Sequence, residues 1–128
     1  MTQGLEGAGA KPAGRGTTTV MTRAFIFPGQ GSQKVGMGKA LAEASAEARA
    51  VFQEVDDALG QNLFKLMTEG PADELQLTEN AQPAIMANAI AVFRALQGQA
   101  GDAPVSFAYV AGHSLGEYSA LCAAGSID

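Results

Sequence analysis

The sequence predicts an α/β fold in which a parallel sheet with helical crossovers carries a strand–elbow–helix unit. Three observations lead there. Short apolar runs alternate with longer segments whose apolar residues recur every three or four positions. Glycine-rich loops follow both apolar runs, the second being Gly112-His113-Ser114-Leu115-Gly116 ahead of a helical segment. Only two strand-like runs occur, whereas a parallel sheet needs both faces covered and neighbours on both edges. A length of 128 residues suggests one ordinary domain. The strand count argues instead for the incomplete, N-terminal portion of a larger domain.

Residues 1–22 read as a disordered leader. Met1 to Val20 hold five Gly and four Thr, with Leu5 and Val20 as the only large aliphatic side chains after Met1, too little apolar surface to offset ordering entropy. Met21-Thr22 offers a second start. The second unit, 23–128, opens on Ala24-Phe25-Ile26-Phe27, expected as a strand buried on both faces and ended by Pro28-Gly29. From Met37 through Leu41, Ala44, Ala48, Phe52 and Val55 to Leu59 one apolar stripe predicts a single long helix, with Gly60 placed to end it. Asn62 to Leu77 reads as short helical pieces broken at Gly70-Pro71. Thr78 or Asn80 is expected to cap a second long helix, with Pro83 in its first turn, a stripe of Ile85, Ala89, Val92, Phe93 and Leu96, and Gly98 after its end. Val105 to Ala111 reads as the second strand, and Glu117 to Ala124 as a third helix.

Composition narrows the function classes. Thirteen acidic against eight basic side chains give a net charge of −5, which argues against a nucleic-acid or anionic-membrane surface. No apolar run approaches the roughly 20 residues that span a bilayer. One cysteine, Cys122, excludes an internal disulfide framework and suits the reducing cytoplasm; one histidine, His113, leaves no ordinary zinc ligand set, so no metal is expected.

The chemistry concentrates in two loops. In Gly112-His113-Ser114-Leu115-Gly116 the glycines permit a tight strand-to-helix turn that lifts the Ser114 hydroxyl clear of the sheet. The following helix turns its N–H groups towards that oxygen, and the N–H of Leu115 is one candidate oxyanion donor. Pro28-Gly29-Gln30-Gly31-Ser32-Gln33 leaves the first strand at the same, carboxyl end of the sheet, where such folds bind ligands. The Gln30 N–H is the second candidate donor. This loop is neither a dinucleotide fingerprint, because Lys34 stands where the third glycine belongs, nor a P-loop. His113 is poorly aimed at its neighbour's hydroxyl and is read as supporting the elbow or lining the site. Cys122 is expected as a packed small hydrophobe, and Glu117 is favoured in a first helical turn by the dipole.

Phe27-Pro28-Gly29-Gln30-Gly31-Ser32-Gln33 followed by Gly112-His113-Ser114-Leu115-Gly116-Glu117 resembles malonyl-CoA:acyl carrier protein transacylase. Gly36-Met37-Gly38, Glu79-Asn80-Ala81-Gln82-Pro83-Ala84 and Tyr118-Ser119-Ala120-Leu121 extend the resemblance over Ala24 to Asp128. It implies an acyltransferase of fatty acid biosynthesis that uses malonyl-CoA, a coenzyme A thioester, as substrate and binds no cofactor. Ser114 would carry malonyl as an ester and pass it to the phosphopantetheine thiol of acyl carrier protein, with Gln30 and Leu115 as oxyanion donors. The family's histidine base and carboxylate-binding arginine would both fall beyond Asp128, so this chain alone is expected to be inactive. An acyltransferase domain of a polyketide synthase shares both motifs, although Leu115 and the start near Met21 favour the stand-alone enzyme. An α/β-hydrolase esterase ranks lower, for want of an HGGG-type oxyanion motif. A non-catalytic remnant is the third possibility.

Overall fold

The structure, a computed structural model, describes residues 23–101 and 105–128. The expected leader, residues 1–22, lies outside the described residues, as does 102–104 of the loop before the second strand. The chain runs β1 (Ala24–Phe27), α1 (Lys39–Ala44), α2 (Ala46–Leu59), α3 (Leu63–Glu69), α4 (Ala72–Gln76), α5 (Thr78–Gln99), β2 (Tyr109–Gly112) and α6 (Gly116–Ala123). β1 and β2 pair in parallel, from Ala24 opposite Tyr109 to Phe27 opposite Gly112. The fold is therefore α/β with a helical crossover, as expected.

Residues opposite one another in a parallel ladder share a face. Phe25 and Phe27 accordingly face the helices with Val110 and Gly112. The Phe25 ring meets Phe93 of α5 edge-on at 5.5 Å, and Phe27 is buried. The other face carries Ala24, Ile26, Tyr109 and Ala111, all exposed, with Ile26 78% accessible. The expectation that the first strand is buried on both faces is thus corrected. An apolar run reports what a strand could bury; among the described residues nothing reaches this face.

The main core lies between the helices. Ala48 and Phe52 of α2 pack with Ala84, Ala87, Ala91 and Ala95 of α5, closed below by Leu63, Met67 and Leu75. Alanines at three- and four-residue steps bring the α2 and α5 backbones close. This corrects the stripe expected for α5. Ile85 and Phe93 are buried, but Val92 and Leu96 are 41% and 39% exposed beside β1, and the alanines take the core.

The single helix expected from Met37 to Leu59 is two. Ser45 is extended (φ −134°, ψ 123°), and its hydroxyl accepts from the Ala48 N–H at 3.2 Å, capping α2. A side-chain oxygen that can satisfy a helix-start N–H offers an alternative to continuing the helix. Gly60 ends α2 in the left-handed conformation as expected (φ 65°). α5 differs from expectation at both ends. It starts at Thr78 with no side-chain cap, Pro83 sits in its second turn, and Gly98 lies inside it. Pro83 costs only the bond to the carbonyl of Glu79, near the helix start. A Cβ at Gly98 would come within 2.8 Å of the Glu47 carboxyl group, so its bareness makes room for that side chain. No helix among the described residues is long and apolar enough to cross a membrane.

Candidate active site

The two loops singled out in the sequence meet at one end of the sheet because the strand register aligns Phe27 with Gly112. The ladder continues one step further, as the His113 N–H donates to the Phe27 carbonyl at 3.2 Å. Three glycines make the approach possible. A Cβ at Gly116 would lie 2.2 Å from the Phe27 oxygen, one at Gly112 would lie 2.0 Å from Gly116, and one at Gly29 would lie 2.6 Å from the His113 oxygen. Each is far inside van der Waals contact, so the loop and the elbow touch backbone to backbone.

Ser114 stands at the apex of the elbow with φ +53°, the only non-glycine residue with positive φ among the described residues. For an L-residue that conformation costs about 1–2 kcal/mol, and such strain is concentrated at functional positions. The side chain is exposed. The turn is closed by N–H groups reaching three residues back, from Gly116 to His113 (2.9 Å), from Glu117 to Ser114 (3.0 Å) and from Tyr118 to Leu115 (3.0 Å). This tight first turn leaves the Leu115 N–H at the head of α6 without a hydrogen-bond partner among the described residues.

Across from it, the Gln30 loop is braced by its own side chains. The Ser32 hydroxyl donates to the Gly29 carbonyl at 2.9 Å, and the Gly31 N–H donates to Gln33 Oε1 at 2.8 Å. Ser32 and Gln33 therefore close the loop. The Gln30 N–H has no partner among the described residues. The Gln30 side chain donates from Nε2 to Thr78 Oγ1, at the start of α5, at 3.1 Å. Sequence reasoning missed this role for Thr78 because a threonine before a helical stripe reads as a cap. Asn80, the other expected cap, instead donates from Nδ2 to the Glu74 carbonyl at 2.9 Å.

His113 is exposed at the elbow, its Nδ1 facing Gly29. Cys122 is half-buried on α6, and Glu117 occupies the first turn of that helix. Among the described residues no cluster of His, Cys, Asp and Glu could hold a metal ion. The arrangement brings together Ser114, Leu115, His113 and the Gln30 loop, all four of the residues picked out in sequence. What sequence reasoning could not reveal is the contact of Gly29 and Gly116 with the neighbouring backbone.

Residues 24–128 match the family model of the acyl transferase domain. The malonyl CoA-acyl carrier protein transacylase of Bacillus subtilis is 51% identical over 104 residues, which are 81% of this chain and 32% of that protein. The crystal structure of the acyl-carrier-protein-S-malonyltransferase from Bartonella henselae superposes with a TM-score of 0.76 at 60% identity, over 82% of this chain and 33% of that one. A malonyl-transacylase solved in complex with a type II PKS acyl-carrier protein is similar at 48% identity and TM-score 0.73, again over 82% and 33%. The chain thus spans about a third of the length of the curated relatives it matches. With both motifs in place around a shared sheet end, the chain belongs to the acyl transferase domain family.

Proposed function

We propose that residues 24–128 carry the nucleophile and oxyanion donors of a malonyl transfer from coenzyme A to the phosphopantetheine thiol of acyl carrier protein, in fatty acid biosynthesis. The observation that carries this reading is Ser114, exposed and strained at φ +53°, with the unpartnered N–H groups of Leu115 and Gln30 on the two touching loops. Ser114 Oγ attacks the thioester carbonyl of malonyl-CoA, and the two N–H groups stabilise the oxyanion that forms. The tetrahedral intermediate collapses with loss of coenzyme A as its thiol, which takes up the proton released by the serine. The carrier-protein thiol then attacks the resulting ester, the carrier thioester forms, and Ser114 regains its proton. Splitting the exchange in two suits donor and acceptor thioesters of similar energy and predicts ping-pong kinetics.

No oxidation state changes in this sequence, so the reaction calls for no resident cofactor. The base is a histidine this chain does not contain, since its single histidine, His113, adjoins Ser114 on the elbow and serves to support the site. The malonyl carboxylate calls for an arginine as its bidentate partner. A reducing, cytoplasmic setting fits both the pathway and the lone cysteine. The likeness to a transacylase solved with a polyketide carrier protein favours, as a second reading, the same transfer to such a carrier.

The test compares two proteins incubated with malonyl-CoA and read by intact mass. One is the 128-residue chain; the other is a chimera in which Ala24–Asp128 replaces the matching third of the Bacillus subtilis relative. The chimera is expected to gain one malonyl group, and the bare chain little or none, because general-base assistance is worth roughly 10²–10⁴ in rate. Stoichiometric malonylation of the bare chain would overturn its expected inactivity. An adduct on the Ser114→Ala chimera would overturn the assignment of the nucleophile.

A further inference from the structure

We propose that Thr78 is a positioning residue for the Gln30 oxyanion donor, acting through its hydrogen bond to the Gln30 side chain. This rests on the reading of Gln30 and Ser114 given above. The bonds from Ser32 and from Gly31 hold the loop to itself over two or three residues, and neither fixes where the loop sits against the rest of the fold. The bond from Gln30 Nε2 to Thr78 Oγ1 joins residues 48 apart and ties the loop to the start of α5. On its other side the loop is held by the contact of Gly29 with the His113 carbonyl. Gln30 is thus fixed between the elbow and α5, and its own side chain forms the second anchor.

Thr78 is available for this because it caps nothing. The Leu77 carbonyl already accepts from the Asn80 and Ala81 N–H groups at 2.9 and 2.7 Å, and α5 begins without a side-chain cap. α5 itself is held in the fold by its alanine face, from Ala84 onwards, against α2, so the anchor point belongs to a packed helix. A Gln30 peptide free to rotate would aim its N–H at the oxyanion only part of the time. That loss falls on the transition state, where the negative charge exists, and leaves thioester binding largely alone.

The experiment uses the chimera and follows single-turnover malonylation of Ser114 alongside steady-state transfer. Thr78→Val keeps the shape and removes the hydroxyl. It is expected to lower the acylation rate and kcat by roughly three- to tenfold, as for loss of one neutral hydrogen bond, with KM for malonyl-CoA unchanged. Thr78→Ser, which keeps the hydroxyl, is expected to restore the rate. Gln30→Met, which keeps the backbone N–H, should cost as much as Thr78→Val, and the double variant no more than either. Unchanged kcat in Thr78→Val, failure of Thr78→Ser to rescue, or additive losses in the double variant would each overturn the proposal. A rate loss matched by an equal loss of folded protein in the unfolding curve would overturn it too. An adduct on Ser114→Ala would instead refute the nucleophile reading, so the two failures are told apart.

Discussion

Gly116→Ala is the sharpest probe of how the elbow meets the Gln30 loop. The substituted Cβ would lie 2.2 Å from the Phe27 oxygen, 2.8 Å from the Phe27 carbonyl carbon and 2.9 Å from the Pro28 oxygen, where ordinary contact begins at 3.4 Å. The obstacle is backbone, which cannot swing aside as a side-chain tip would. α6 and the end of β1 must therefore part by about 1.2 Å to restore contact at the closest atom. Alanine in a helix is itself favourable by about 1 kcal/mol over glycine, and Gly116 has no positive φ to lose. Overpacking costs about 1–3 kcal/mol and the obstacle is backbone, so the upper part of that range applies and a net loss of up to about 2 kcal/mol is expected. The effect on rate should be larger, because a misplacement of about 1 Å between reacting groups can cost on the order of 100-fold. Urea unfolding of the chimera gives the first quantity and single-turnover malonylation of Ser114 the second. A Gly116→Ala protein with parental stability and parental rate would refute the backbone-to-backbone contact. A rate loss no larger than the loss of folded protein would refute its link to the chemistry.

Three further outcomes follow from the same structure. Ser114→Gly should abolish the malonyl adduct yet raise stability by about 0.5–1 kcal/mol, since relief of positive-φ strain exceeds the added chain entropy of glycine; thermal unfolding checks it. Ser119 is fully buried on α6, and its hydroxyl has no partner among the described residues. Ser119→Ala should therefore be neutral or stabilising by about 1 kcal/mol in urea unfolding, because it removes an unmet polar group. The Glu47 carboxyl is held below the usual carboxylate range, first by the backbone N–H at the start of α2 and then by the Ser45 hydroxyl. A depressed folded-state value means its stabilising effect is present above the ordinary carboxylate range and is lost as pH falls through that depressed value. Glu47→Gln should remove this part of the acid-side slope, read from unfolding midpoints across the acid range, and leave the neutral-pH slope intact.

How much was legible in the sequence varies with the range of the interaction involved. Residues Ala24–Phe27 read as a strand, Gly60 as a helix end and the Gly70-Pro71 break were all visible, because apolar period and turn chemistry act over a few neighbours. The break at Ser45 was hidden, since the apolar stripe runs straight through it while the cap acts locally against it. Which face of α5 enters the core was also hidden. Alanine carries a weak hydrophobic signal, yet close approach of α2 selects it over Val92 and Leu96.

The sequence by itself determined the α/β class, the two loops and the residues Ser114, Leu115, Gln30 and His113, because nucleophile elbows and glycine loops are short-range motifs. Only the tertiary structure decided that the loops touch, that Gly29 and Gly116 are bare because neighbouring backbone fills the space of a Cβ, and that Gln30 is tied to Thr78. It also decided that one face of the sheet, with Ile26 and Tyr109, stays open among the described residues. The physical reason is the same in each case. Contacts across 48 positions, as between the Gln30 and Thr78 side chains, or 84, as between Gly29 and the His113 carbonyl, leave no periodic mark in the chain, and they exist only once the fold has formed.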